Sequence, residues 1–263
     1  MQFMNQCLNN REKLWLKYYI GDVSGNDGFW SEPKAYLVLN SLFYDGIETE
    51  ISRTKEGKFL NPAILDDVDR LLDFYDNMFS AFYKCRAERD IITYRVERYH
   101  DFLPIWNTNH TVSFTSTSAG GFLDRYRDRK EITLIKFFIP ESVSCINIAE
   151  VLDFYAKPDE AEILLPPFMY LDLTQTVPTE KEMQITDSAG KSPEDSCIAI
   201  CNCWNDVKER TGSLSADGAK AGQRVYEALN NGRIPVAEDV KIYTEWKRDF
   251  RKIYKRTYKD YCT

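Results

Sequence analysis

The sequence predicts an α+β fold in which helices are segregated from a mostly antiparallel sheet. Three observations lead there. Residues 10–89 carry apolar side chains mostly at helical spacing, and residues 91–173 break into short runs rich in β-branched and aromatic residues. From Ser192 the spacing turns helical again. With 263 residues, 43% of them hydrophobic, the chain can bury one sizeable core or a core with an appended subdomain.

In the first region, one helix spans Pro33 to Tyr44 and a clearer one Pro62 to Lys84. Asn61 can cap the latter, Pro62 suits its first turn, and Leu65, Val68, Leu71, Leu72, Tyr75, Met78, Phe79 and Phe82 form its stripe. Strands are expected at Ile91–Val96, Thr111–Thr115, Ile132–Ile139, Glu162–Leu165 and Phe168–Leu173, punctuated by Pro, Gly or Asn. Beyond them Ser192-Pro193-Glu194 opens a helix, Ser215–Asn230 forms a second and Asp239–Tyr261 a third. In the third, Trp246, Phe250, Ile253 and Tyr254 make an apolar stripe, and Lys247, Arg248, Arg251, Lys252, Lys255, Arg256 and Lys259 a basic outer face. The pattern divides the chain into residues 1–190, helical over 1–90 and β-rich over 91–190, and a C-terminal helical subdomain over 191–263.

Bulk properties exclude several classes. A net charge of −7 argues against a general binder of nucleic acid or anionic membrane. The first residues lack a basic segment followed by an apolar run, and no stretch approaches a membrane span. The expectation is a soluble monomer made in the cytoplasm, for which export as an effector would need no signal peptide. Seven cysteines do not read as a disulfide framework and favour a reducing compartment. Cys197, Cys201 and Cys203 lack the paired spacing of common zinc sites and sit with Ala199, Ile200 and Trp204 as on a buried helix face, so no metal is assigned. His100 and His110 have no partner pattern suggesting a nucleophile and base.

Chemistry is suggested by Glu160 and Glu162, where a polar loop turns into an apolar strand that stops at Pro166-Pro167. If Glu162 opens the strand, alternation points both carboxylates to one face. Like charges so crowded invite a cationic partner or a developing cation. Upstream stand Tyr94-Arg95 on one strand and Ser116-Thr117-Ser118 on the next.

This ordered set resembles the mono-ADP-ribosyltransferases of the arginine–serine–glutamate type, such as clostridial binary-toxin enzymes and vertebrate arginine-specific ectoenzymes. The resemblance covers roughly Pro62 to Asp187. It implies two small facing sheets with an NAD cleft between them, NAD as substrate, and transfer of ADP-ribose to arginine on an unidentified protein with release of nicotinamide. By the same resemblance Glu162 is the catalytic carboxylate, Glu160 orients and deprotonates the acceptor guanidinium, and Ser116 positions Glu162. Arg95 grips the pyrophosphate, for which a planar guanidinium is suited, with Arg98 as fallback. Thr117 and Ser118 extend the hydroxyl network around the ribose. The loop after Ser118 supplies Tyr126, or Phe122, against nicotinamide and Arg129, or Arg127, for phosphate, while Phe154 and Tyr155 contact the target protein. The chain departs from the family pattern in Val96-Glu97, where many members have a glycine, and in a long turn carrying Lys157-Pro158. The helical region from about Ser192 has no counterpart in the family pattern. Two rival functions fit the same residues: an NAD glycohydrolase, and a catalytically inactive interaction domain of the same fold.

Overall fold

The computed structural model describes residues 3–5, 8–21, 35–119, 132–152, 161–175, 179–180, 196–201 and 214–254. In chain order the elements begin β1 (Phe3–Asn5), α1 (Asn10–Ile20), α2 (Ala35–Ser41), α3 (Glu48–Lys55), α4 (Val68–Lys84), β2 (Cys85–Ala87) and β3 (Ile91–Arg98). They continue with α5 (Tyr99–Thr108), β4 (Thr115–Ser118), β5 (Ile132–Ile139), β6 (Ile146–Asn147) and α6 (Ile148–Val151). The last are β7 (Glu162–Leu165), β8 (Leu171–Gln175), β9 (Ser196–Cys201), α7 (Ala216–Asn230) and α8 (Ala237–Tyr254). These fold into two compact units, one drawn from Asn9–Ser80 and Val207–Thr257, the other from Met1–Leu8 and Ala81–Asp206. Among the described residues no helix is long and apolar enough to cross a membrane.

The first unit is helical. α1 opens with a reciprocal cap: the Asn9 side chain accepts from the N–H groups of Arg11 and Glu12, and Glu12 accepts from the Asn9 N–H at 2.8 Å. The helix expected over Pro62–Lys84 is two pieces, a 3-10 turn over Pro62–Leu65 and then α4. Asp67 starts the second piece, its carboxylate accepting from the Arg70 N–H at 3.0 Å. α4 buries Leu71, Leu72, Phe74, Tyr75, Met78 and Phe79.

Within this unit α7 and α8 complete the core begun by α1 to α4. Phe250 packs against Phe43 and Tyr75 with ring centroids 5.4 and 4.7 Å away, and Tyr254 stacks on Phe79 at 5.2 Å. The two last helices meet over glycine: a Cβ on Gly218 would lie 2.2 Å from Trp246, and one on Gly222 would lie 2.6 Å from Tyr243. The expected basic outer face of α8 loses Lys247. That side chain is fully buried, donating to Glu50 at 3.0 Å and to the carbonyls of Gly46 and Ser41. Burial lowers the Lys247 pKa, and Glu50 works against that shift. Around the pair, the Tyr226 hydroxyl meets those of Tyr243 at 2.7 Å and Ser41 at 3.0 Å.

The other unit is built on one seven-stranded sheet in the order β6-β7-β4-β3-β5-β9-β8, with β1 and β2 pairing separately. Two facing sheets are not seen among the described residues. Every neighbour is antiparallel except β5 with β9. Among the described residues β3 pairs with β5 over its whole length and with β4 at Tyr94 opposite Ser118. Ile91, Ile135, Phe137, Ile139, Ile163 and Leu165 share one core, as alternation and the register require.

Local details correct several expectations. The helix read from Ser192 is β9 over Ser196–Cys201, so Cys197 and Cys201 lie on a strand beside β5; Cys203 is outside the described residues. A short apolar run such as Cys-Ile-Ala-Ile-Cys suits a buried strand as well as a helix face, and here it pairs in parallel with β5. The strand expected at Thr111 starts only at Thr115, because the backbone of Thr111 bonds instead with Phe168 and Met169. β8 likewise begins at Leu171 rather than Phe168, whose φ of 64° turns the chain. α5, which holds Pro104 within it, was not expected at all.

Candidate active site

The residues singled out by sequence gather at the β3–β4 joint. Register places Glu162 directly opposite Ser118, Ser118 opposite Tyr94, and Tyr94 opposite Lys136, a row across four strands on one face. Directly opposed side chains start about 5 Å apart, so Glu162 and Ser118 are neighbours by construction. Ser116 lies two residues from Ser118 and shares its face. Ser118 is buried, whereas Ser116, Glu162 and Tyr94 are half-buried and reach the surface.

Arg95 enters from the opposite parity of β3. Beyond Tyr94 the ladder to β4 lapses, which leaves the Ser116 carbonyl without a β3 donor. The guanidinium takes that place: Arg95 Nη1 donates to the Ser116 carbonyl at 2.7 Å. Its Nε donates to Glu97, the residue two further along the same strand. Arg95 therefore reaches the backbone of the serine strand where the ladder has lapsed, from the face of the sheet opposite to Ser118 and Glu162.

Thr117 has the parity of Arg95, not that of Ser116 and Ser118. Its side chain has the core parity, is buried, and donates to the Ile163 carbonyl at 2.8 Å. The pairing of the two glutamates by strand alternation also changes. β7 begins at Glu162, and Ala161 before it has φ 42°, in the left-handed region, so the extended alternation does not run back to Glu160. Glu160, Phe122, Tyr126, Arg127, Arg129, Phe154 and Tyr155 lie outside the described residues, as does the side chain of Arg98. His110 turns its Nδ1 to the Thr108 carbonyl and stacks edge-on against Tyr170, away from the row.

Sequence reading passed over Glu97, noting it only as a departure from a family pattern. The signal was present: residues i and i+2 of a strand project to the same side, so Arg95 and Glu97 were placed to pair. Tyr94 was quoted only as the neighbour of Arg95, yet it stands opposite Ser118 in the pairing of β3 with β4.

No protein-family model matches the chain, and no curated protein matches it. Solved structures do resemble it. The C3 exoenzyme of Clostridium limosum is 13% identical, with 74% of this chain and 86% of that one covered at a TM-score of 0.43. BECa, the ADP-ribosylating toxin of a C. perfringens binary enterotoxin, solved with NADH, is 14% identical over 74% of this chain and 44% of its own, at 0.45. The ADP-ribosyltransferase Vis of Vibrio splendidus, solved in complex with agmatine, is 14% identical over 75% of both chains, at 0.39.

Proposed function

We propose that this chain is a mono-ADP-ribosyltransferase, a glycosyltransferase that moves ADP-ribose from NAD to an arginine side chain of a protein and releases nicotinamide. The observation that carries the reading is that Arg95 bonds at 2.7 Å to the backbone of the serine strand at the β3–β4 joint, the strand on which Ser118 faces Glu162. The donor set suits a pyridine dinucleotide: a guanidinium for its pyrophosphate, hydroxyls and a carboxylate for its ribose. The metal-free chemistry assigned from the sequence stays part of the proposal.

NAD supplies a glycosidic bond to nicotinamide whose cleavage leaves with its electron pair on the nicotinamide and builds positive charge at the anomeric carbon. Glu162 sits at the start of β7, held by the ladder to β4, so its charge stands in place before that cation develops. Ser116 and Ser118 donate hydroxyls on the same face, orienting the carboxylate. Glu160 takes the proton of the incoming guanidinium, whose nitrogen then forms the new bond; a fully protonated guanidinium is a poor nucleophile. Tyr126 against nicotinamide, Arg129 on phosphate, and Phe154 with Tyr155 on the target complete the proposed set.

Incubation with labelled NAD, with and without agmatine, tests the reading. The wild type is expected to form the agmatine adduct, and Glu162→Gln to release nicotinamide about a hundredfold more slowly. Glu160→Gln is expected to lose the adduct while still passing ADP-ribose to water. An intact adduct with Glu160→Gln sinks arginine as acceptor, and a wild type that neither binds NAD saturably nor releases nicotinamide leaves an inactive interaction domain.

A further inference from the structure

We propose that Glu97 is the positioning residue of Arg95, fixing the plane of its guanidinium before an anionic ligand arrives; this rests on the reading of Arg95 as the pyrophosphate-binding residue. Alternation along β3 sends both side chains to one side, one strand repeat apart. The Glu97 carboxylate accepts from Nε–H, and the Ser116 carbonyl accepts from Nη1–H at 2.7 Å. A single bond would let the planar group pivot about it. Two bonds from different nitrogens, to acceptors on two different strands, fix both its plane and its direction.

The two members of the pair are not equally buried. The Glu97 side chain is 13% exposed and that of Arg95 29%, so the carboxylate is shielded and the guanidinium is the more open partner. Among the described residues Arg95 is the one charged partner of Glu97. The opposite residue on β5, Thr133, is buried and uncharged. Glu97 stands beyond Tyr94, where the pairing of β3 with β4 has lapsed, beside Arg95. A side chain as flexible as arginine loses much rotamer freedom when it grips a ligand, and prior fixing removes that cost from binding. The same carboxylate could instead compete with the ligand for the cation. The two effects separate in glutamine, which keeps an oxygen for Nε–H and loses the charge.

Titration of the full chain with NAD, followed by calorimetry, tests the proposal in five proteins: wild type, Glu97→Ala, Glu97→Gln, Arg95→Ala and the double alanine variant. Glu97→Ala is expected to weaken NAD about tenfold, and Glu97→Gln to stay within about twofold of wild type. Adding Glu97→Ala to Arg95→Ala is expected to change nothing further, because Glu97 acts through Arg95. Wild-type or tighter binding by Glu97→Ala overturns the proposal, as does an additive loss in the double variant or a Glu97→Gln variant that binds tighter or as weakly as Glu97→Ala. Should Glu97→Ala not fold, Glu97→Asp decides the same point, with about fivefold weaker binding expected and unchanged binding overturning it. If Arg95→Ala alone binds NAD like wild type, the pyrophosphate role of Arg95 fails first, which is a separate result.

Discussion

The three hydroxyls of β4 divide by strand parity. Ser116 and Ser118 share the face of Glu162, while Thr117 faces the core and donates to the Ile163 carbonyl at 2.8 Å. A string of three hydroxyl residues reads in sequence as one patch, yet a strand can present only alternate members to a site. Thr117 therefore ties β4 to β7 and so holds Ser118 against Glu162, one register step away. Thr117→Val keeps the shape and removes the donor, leaving a buried carbonyl short of a bond. It is expected to lower the unfolding free energy by about 1–2 kcal/mol, read from urea denaturation, with NAD affinity unchanged. Ser116→Ala is expected to do the reverse, weakening turnover with little loss of stability. A Thr117→Val variant that unfolds like wild type but has lost NAD binding would restore that hydroxyl to the site.

At the scale of elements, β7 shows how a glutamate is aimed. The strand starts at Glu162, and the residue before it, Ala161, has φ 42° with its carbonyl accepting from the Ala119 N–H at 3.1 Å. An alanine in that region costs about 1 kcal/mol, and a β-branched residue costs more. Ala161→Gly is expected to raise the melting temperature or leave it in place, and Ala161→Val to lower stability by about 1–3 kcal/mol and slow nicotinamide release, since Glu162 would shift with the turn. A valine variant that melts with wild type would show the turn to be unimportant. This turn also marks where sequence reading reached its limit. Ile132–Ile139 and Glu162–Leu165 were legible to the residue, because β-branched runs bounded by breakers carry their own period. The turn at Ala161 was not, because nothing in alanine announces a positive φ. β9 was missed because an apolar run of its length has no distinguishing period, and α5, which holds Pro104 within it, was not read from the sequence. Arg95, Ser116 and Glu162 were legible as a candidate set because their order and strand placement survive without knowledge of register. What the order could not supply was parity, and parity separates Thr117 from its neighbours.

At the scale of the whole molecule, stability is governed in part by what the helical unit buries. Tyr75, Tyr226 and Tyr243 are fully buried there, and Tyr75 donates to the Leu39 carbonyl at 2.7 Å. Burial raises all three hydroxyl pKa values well above 10.0; neighbouring tyrosines add to the shift at Tyr75 and Tyr243, and Glu50 adds to it at Tyr226 and Tyr243, while at Tyr226 the hydrogen bonds with Ser41 and Tyr243 work against it. Above the ordinary tyrosine pKa the unfolded chain gives up these protons while the folded chain keeps them, so stability falls as pH rises. Below that pH their contribution is fully present. Each such group contributes up to about 1.4 kcal/mol per pH unit, and three together about 4. Lys247 acts in the opposite sense, because its lowered pKa makes the folded chain hold fewer protons than the unfolded chain up to 10.5, and stability rises with pH until then. Its opposing slope ends just where that of the tyrosines begins. Helical circular dichroism is therefore expected to collapse cooperatively as pH climbs above about 10, with tyrosinate absorbance from the buried rings appearing in the same transition rather than ahead of it. Tyr243→Phe removes one of the three while Tyr226 keeps Ser41 as a partner at 3.0 Å, and should flatten the alkaline slope by about a third. An unchanged slope, or buried tyrosinate formed while the helices remain intact, would show that these hydroxyls do not set the alkaline limit.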